Sequence, residues 1–288
     1  MELSKYYLRK ALRPFSFTVA VITCLAGLVS AATDGFVDNW LAFLVLFAAL
    51  FLQAGVNLIN DYADITLLSE TPENRWAERL IRRNFMLGLG CILLAAVAGI
   101  YLVALRGFPL LMLLVLGLVG ALGYTLEPVN FKRRGLAVVL VFWLMGVLMV
   151  CGAYYIVAGQ LGWGIFWQSL PVSLLSSLLL LSNEIRDLEA DAASGIRTLS
   201  VRIGFKRACS LYRLLLFNVG LLSALLWLTG YLDSAGWLLI SLPLALLLPA
   251  KLVRNIAARK RLPPLTGRFF MLFGLLYTLS LSGFSVIL

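Results

Sequence analysis

The stretch Pro171-Val172-Ser173-Leu174-Leu175-Ser176-Ser177-Leu178-Leu179-Leu180-Leu181-Ser182-Asn183-Glu184-Ile185-Arg186-Asp187-Leu188-Glu189-Ala190-Asp191 passes without a break from an apolar run into a row of acids. Carboxylates at a membrane edge are costly unless they bind something. Asn183, Asp187 and Asp191 recur at i, i+4 and i+8. On a helix that spacing stacks three oxygen-bearing side chains on one face, with a rise of about 6 Å per step. An earlier stretch, Asn60-Asp61-Tyr62-Ala63-Asp64, repeats the order Asn, acid, two residues, Asp.

Around these two rows the chain is apolar. Hydrophobic residues make up 61% of the sequence and charged residues 13%, where a soluble domain carries about 25% charged. Mean hydropathy is +0.95. The reading is an all-α, polytopic membrane protein with no separate soluble domain. The net charge of +10 sits between apolar runs. The cations therefore set topology and meet lipid headgroups or anionic substrates of the lipid bilayer's edge, and nucleic acid is not a partner. Cys24, Cys91, Cys151 and Cys209 are scattered, with no CxxC pair, and read as small hydrophobes. The chain has no His. Any metal is then held by oxygen, which favours Mg2+, Ca2+ or Mn2+.

A bilayer span needs about 20 apolar residues. Nine runs qualify, at about 15–33, 39–60, 85–105, 108–125, 136–157, 164–183, 210–229, 236–253 and 268–287. The first, preceded by Lys5, Arg9, Lys10 and Arg13, lacks a clear cleavage motif and is expected to be a retained helix. With the N-terminus inside and strict alternation, every one of the 24 Lys and Arg except Arg106 falls on the inner side. The expectation is a nine-transmembrane-helix bundle, N-in and C-out, in one domain spanning 1–288. Because the acidic rows follow the second and sixth spans, the domain divides into two four-helix halves, about 15–125 and 136–253, plus a ninth helix at about 268–287. Both rows then emerge at the cytoplasmic edge, and the outer loops suggest no activity.

Two facing acidic rows repel unless a divalent cation lies between them. Mg2+ typically takes one or two carboxylates, with waters and phosphate oxygens completing its shell. Arg75, Arg79, Lys132, Arg134 and Arg197, in or beside the same loops, can take the remaining phosphate charge. The constellation suits a Mg2+-chelated diphosphate at the membrane edge, with an isoprenoid chain running into the bundle. The ring of Tyr124 can stabilise an allylic cation through its π face. The competing expectations are a transporter, which would place Gly- or Pro-broken spans and charges near the midplane, and a catalytically silent scaffold.

Along nearly its whole length the chain resembles the UbiA superfamily of membrane prenyltransferases. Within it, the chain is most similar to the 1,4-dihydroxy-2-naphthoate polyprenyltransferase branch of menaquinone synthesis. Asn57 to Asp64 resembles that branch's first acidic motif. Asn183 to Arg202, with Arg186-Asp187, Asp191, Gly195, Arg197-Thr198-Leu199 and Arg202, resembles its second. Tyr124, Pro128, Arg134-Gly135-Leu136 and Tyr154-Tyr155 resemble the helix 4–5 region, and Pro264-Leu265 the last loop. The resemblance implies a central cavity and transfer of a polyprenyl group from its diphosphate to an aromatic acceptor. It implies Mg2+ bound by Asp61, Asp64, Glu70, Asp187 and Asp191, with Asp64, Asp187, Asp191 and Tyr124 catalytic. It implies Asn60, Asn183, Arg79, Lys132, Arg134 and Arg197 as contacts to diphosphate or acceptor, and a bacterial inner membrane with the site facing the cytoplasm. Leu68 stands where many family members have a third Asp, with Glu70 able to fill that place. Ala137 follows Arg134-Gly135-Leu136 where the naphthoate branch has Gly-Glu, and Leu126-Glu127-Pro128 replaces a Gly-Gly-Pro-like turn. These departures keep another quinone precursor, or another aromatic metabolite, open as acceptor.

Overall fold

The computed structural model describes residues 3–62, 65, 72–125 and 129–283. Among them every regular element is helical and none is a strand. The apolar helical segments are α1 (Pro14–Thr33), α2 (Asn39–Asn60), α3 (Pro72–Arg106), α4 (Phe108–Thr125), α5 (Ala137–Ala158), α6 (Trp163–Ala193), α7 (Leu199–Leu228), α8 (Gly236–Lys251) and α9 (Leu262–Leu281). Seven of these segments are long and apolar enough to cross a membrane, the last as part of Ile256–Leu281. α4 and α8 are shorter apolar helices. The protein is a multi-pass membrane protein.

Local chemistry explains most boundaries. Pro14 opens α1 and Pro72 opens α3, at positions where a missing N–H costs nothing. Asp38 caps α2, its carboxylate accepting from Trp40 N at 3.0 Å and Leu41 N at 2.9 Å. Gly159, at φ +73°, ends α5 in the left-handed conformation and turns the chain into α6. α8 mixes a 3-10 turn (Gly236–Ser241), a short α-helix (Leu242–Leu247) and a second 3-10 turn (Pro249–Lys251), with Pro243 and Pro249 removing backbone donors.

Several helices outrun the expected apolar runs. α3 begins at Pro72 rather than 85, α6 continues to Ala193 rather than 183, and α7 starts at Leu199 rather than 210. Hydropathy marks the length that suits lipid, whereas Arg, Glu, Ala and Leu continue a helix well beyond it. α9 begins at Leu262 rather than 268 and ends at Leu281, and 284–287 of the expected run lie outside the described residues. Inside α7, Gly204 takes φ +80°, ψ 159° and separates the first turn from the remainder.

α1 packs on α2, α5 and α9; α6 packs on α5, α7 and α9; and α2 packs along α3. α1, α5, α6 and α9 therefore form the interior, and α2, α3 and α7 present more side chains outward. Close approach depends on small residues, as in membrane helix pairs generally. A Cβ at Gly27 of α1 would collide with the Val150 carbonyl of α5, and one at Gly55 of α2 would lie 2.9 Å from the Gly88 carbonyl of α3. Hydrogen bonds tie the helices: Ser177 Oγ donates to Val138 O at 2.9 Å, Thr33 Oγ1 to Leu281 O at 2.9 Å, and Tyr277 Oη to Gln168 O at 2.8 Å. Arg106, the one cation outside the charge pattern, caps the end of α5. Its Nε donates to Ile156 O at 2.6 Å and its Nη2 to Val157 O at 2.9 Å.

Gly27→Ala is expected to destabilise the protein by about 1–3 kcal/mol, since the opposing atom is backbone and cannot move aside. Gly90→Ala in α3, where an added Cβ meets open space, is expected to be neutral or stabilising by up to about 1 kcal/mol. Thermal unfolding of both variants in the same detergent checks the pair.

Candidate active site

The acidic row is helical throughout, as α6 runs unbroken to Ala193. Asn183, Asp187 and Asp191 therefore share one face. Asn183 Nδ2 donates to Leu179 O at 3.0 Å, and the Asp187 carboxylate receives Arg186 bidentately, at 2.7 Å from Nε and 2.6 Å from Nη2. Lys132 lies within electrostatic reach of Glu184 and Asp191, and Tyr124 of Glu184. The loop after α4 is what puts Lys132 there. Phe131 N donates to Gly123 O at 2.9 Å and Lys132 N to Tyr124 O at 3.1 Å, folding the loop back onto the helix end. Tyr124 and Lys132 thus lie on the side of the acidic row, Tyr124 near Glu184 and Lys132 near Glu184 and Asp191.

Three residues outside the expected site complete its frame. Glu184 is 5% exposed. Its Oε2 accepts from Ser200 N at 3.0 Å and so caps the first turn of α7, where orphan N–H groups favour an anion. Arg202 joins two loops, with Nε donating to Arg197 O at 2.9 Å and Nη2 to Arg133 O at 3.0 Å. Gly135, at φ +75°, leaves room for it, since a Cβ there would stand 2.6 Å from Arg202 Cδ. Arg259, fully buried, pairs with Glu189 and lies 5.2 Å from the Phe205 ring centroid. The spacing of Glu184 three before Asp187 is the sequence signal for the first; the other two are long-range contacts without one.

The first motif is built differently. Asp61 is 3% exposed and its Oδ1 accepts from Arg13 Nη2 at 2.8 Å, with Lys5 Nζ at 3.8 Å. The Asn60 amide oxygen, turned toward the same guanidinium, stands 2.9 Å from Nη2. Asn57 Nδ2 donates to Leu12 O at 2.7 Å and Ser16 Oγ at 2.6 Å, and Asn84 Nδ2 to Tyr6 O at 2.8 Å. The N-terminal segment, which the charge pattern marked only as a topology signal, is a strap laid over α2 and α3 with Tyr6 buried beneath it. Arg13 takes φ +49° immediately before Pro14, a backbone cost of about 1–3 kcal/mol that the strap must offset. Arg79 is exposed on α3, 5.4 Å from the Trp76 ring centroid. Arg134 and Arg197 are exposed on their loops. Asp64 and Glu70 lie outside the described residues, and among the described residues no three acids, Cys or His gather into one cluster.

The fold is that of a polytopic helical membrane protein with an acidic row at the end of one helix. The chain belongs to the UbiA prenyltransferase family, whose model matches residues 20–281, and it is a prenyltransferase. The 1,4-dihydroxy-2-naphthoate octaprenyltransferase of Mycobacterium leprae (strain TN) is 29% identical over 262 residues, covering 88% of this chain and 86% of the relative. UbiA prenyltransferase domain-containing protein 1 of Mus musculus is 28% identical over 278 residues, covering 93% and 81%. The structure of a UbiA homolog from Archaeoglobus fulgidus bound to GPP and Mg2+ has the same fold, with a TM-score of 0.59 at 16% identity over 95% of this chain and 99% of that one.

Removing one partner of the Arg13–Asp61 pair strands a buried carboxylate. Arg13→Ala is expected to cost about 1–3 kcal/mol, the half-exposed guanidinium keeping it at that level. Adding Asp61→Ala should recover much of the loss, and a double-mutant cycle by chemical unfolding measures the coupling.

Proposed function

We propose that the protein transfers a polyprenyl group from its diphosphate to an aromatic acceptor, 1,4-dihydroxy-2-naphthoate or a related quinone precursor, with Mg2+ as the metal. The observation that supports this most strongly is the acidic face of α6, with Asp187 and Asp191 together on it, Lys132 within electrostatic reach of Asp191, and Tyr124 near Glu184. Ala137-Val138, buried at the start of α5 where the naphthoate branch has Gly-Glu, is the reason the acceptor is kept at the level of a quinone precursor.

The residues present fit a hard cation. All donors are oxygens, and Glu184 Oε1 is buried with no hydrogen-bond partner among the described residues. A Mg2+ ion needs only one or two carboxylates when a substrate diphosphate and waters supply the rest, so a three-acid cage is not required. Asp187, Asp191 and Asn183 would hold it from α6, and Asp64 and Glu70 from the other motif. Bound there, Mg2+ would neutralise negative charge on the departing diphosphate. Asp61 we assign to holding Arg13 and the strap, in place of the direct metal contact that its motif suggested.

The reaction breaks the allylic C–O bond, and its electron pair leaves with the diphosphate. A ring carbon of the acceptor forms the new C–C bond and releases a proton, or its carboxyl group as CO2. Lys132, with Arg79, Arg134 and Arg197, takes the phosphate charge or the acceptor carboxylate, and the Tyr124 ring faces the developing cation. Arg186, bidentate on Asp187, shares that carboxylate when a cation binds. We further infer that α4 and α8 also span the membrane, N-terminus inside, in two four-helix halves with α9 added. The site then faces the cytoplasm of a bacterial inner membrane.

Asp187→Asn and Asp191→Asn are each expected to lower kcat/KM by about 10²–10³-fold without unfolding the protein. Purified protein incubated with Mg2+, a panel of prenyl diphosphates and aromatic acids, and read by mass spectrometry, checks this and identifies the product. Full activity in both variants would sink the assignment.

A further inference from the structure

We infer that the turn between α8 and α9 holds a binding site for a phosphate group, separate from the acidic row and independent of the proposed reaction. A cavity of about 280 Å3 lies there, lined by Lys251, Ala257, Ala258 and Arg261. One water's share of liquid volume is roughly 30 Å3, so the space admits a polyatomic ion. Two of its four walls are cationic side chains, and neither Lys251 nor Arg261 has a side-chain hydrogen bond or ion pair among the described residues. The other two are alanines, whose small side chains leave the space open.

The surrounding sequence offers no internal counter-ion. After Asp233 the chain has no Asp or Glu, yet Lys251, Arg254, Arg259, Lys260, Arg261 and Arg268 follow. Among the described residues only Arg259 of these is ion-paired, reaching across to Glu189 of α6. That contact has two consequences. It anchors the short helix Ile256–Arg259 against the bundle, so that the cavity beside it has a fixed wall. It also places the turn at the same end of the bundle as the acidic row, at the membrane edge where α8 and α9 terminate. Exposed apolar side chains flank the cavity in sequence, with Leu246 70% and Ile256 50% exposed. Cations at a lipid boundary beside apolar surface recognise phosphate, each Lys or Arg adding to the attraction toward an anionic surface. The phosphate can come from an anionic phospholipid headgroup or from a free phosphate ion, and a half-open pocket shared by Lys251 and Arg261 distinguishes this site from attraction spread over all six cations.

The test uses the full chain, purified from nanodiscs of phosphatidylcholine with or without phosphatidylglycerol, with lipids counted by native mass spectrometry after a detergent wash. Wild type should retain a phosphatidylglycerol. Lys251→Gln with Arg261→Gln should reduce that occupancy by on the order of tenfold or more. Ala257→Leu, which fills the cavity and keeps every charge, should reduce it similarly. In a parallel arm without anionic lipid, inorganic phosphate is titrated and Tm is read. A rise in wild type that Ala257→Leu abolishes, with no lipid retained, identifies free phosphate as the ligand and still supports the site. Wild type that neither retains phosphatidylglycerol nor responds to phosphate overturns the proposal without any variant. Ala257→Leu that behaves as wild type also overturns it, because binding is then diffuse. If the double variant fails to fold, Ala257→Leu alone decides.

Discussion

Carboxylates at the end of an apolar helix have to be compensated. In the low dielectric near a bilayer a bare acid is expensive, and each acid of α6 meets the demand in its own way. Glu184 takes the N–H of Ser200, Asp187 takes Arg186, and Glu189 takes Arg259. Asp191 has Lys132 in reach. Three of these partners, Lys132, Ser200 and Arg259, come from other elements. Compensation therefore fastens α7, the loop after α4 and the turn before α9 around one helix end.

The same logic builds the other half. Asp61 is nearly inaccessible and binds Arg13, which draws the N-terminal strap across α2 and α3. Arg13 holds a left-handed backbone before a proline, a conformation that persists only where contacts on both sides insist on it. Asn57 and Asn84 supply those contacts through backbone carbonyls of the strap. Asp61 in the first motif and Glu184 and Glu189 in the second are thus structural, which leaves Asp187 and Asp191 on α6 as the carboxylates able to exchange an internal partner for a ligand.

Rigidity beneath the site comes from close packing rather than from polar contacts. Gly27 and the Gly55–Gly88 pair bring backbones together, and a small set of hydroxyl-to-carbonyl bonds fixes helix register. The loop that carries Lys132 can then be placed by two backbone bonds, to Gly123 and Tyr124. Arg202, spanning two loops, keeps Arg133 and Arg197 in a constant relation.

Hydropathy alone located the apolar segments, because lipid imposes a run length on any spanning helix. The i, i+4, i+8 spacing alone put Asn183, Asp187 and Asp191 on one face, since helical periodicity is local. Neither reaches contacts between residues far apart in the chain. That Asp61 belongs to the strap, that Glu184 caps α7, and that Arg259 enters the core to meet Glu189 are decided by the packing of whole helices, which sets the distances between them. The ends of α3, α6 and α7 were hidden for a related reason: a helix stops where its hydrogen bonds and caps stop, not where the membrane does.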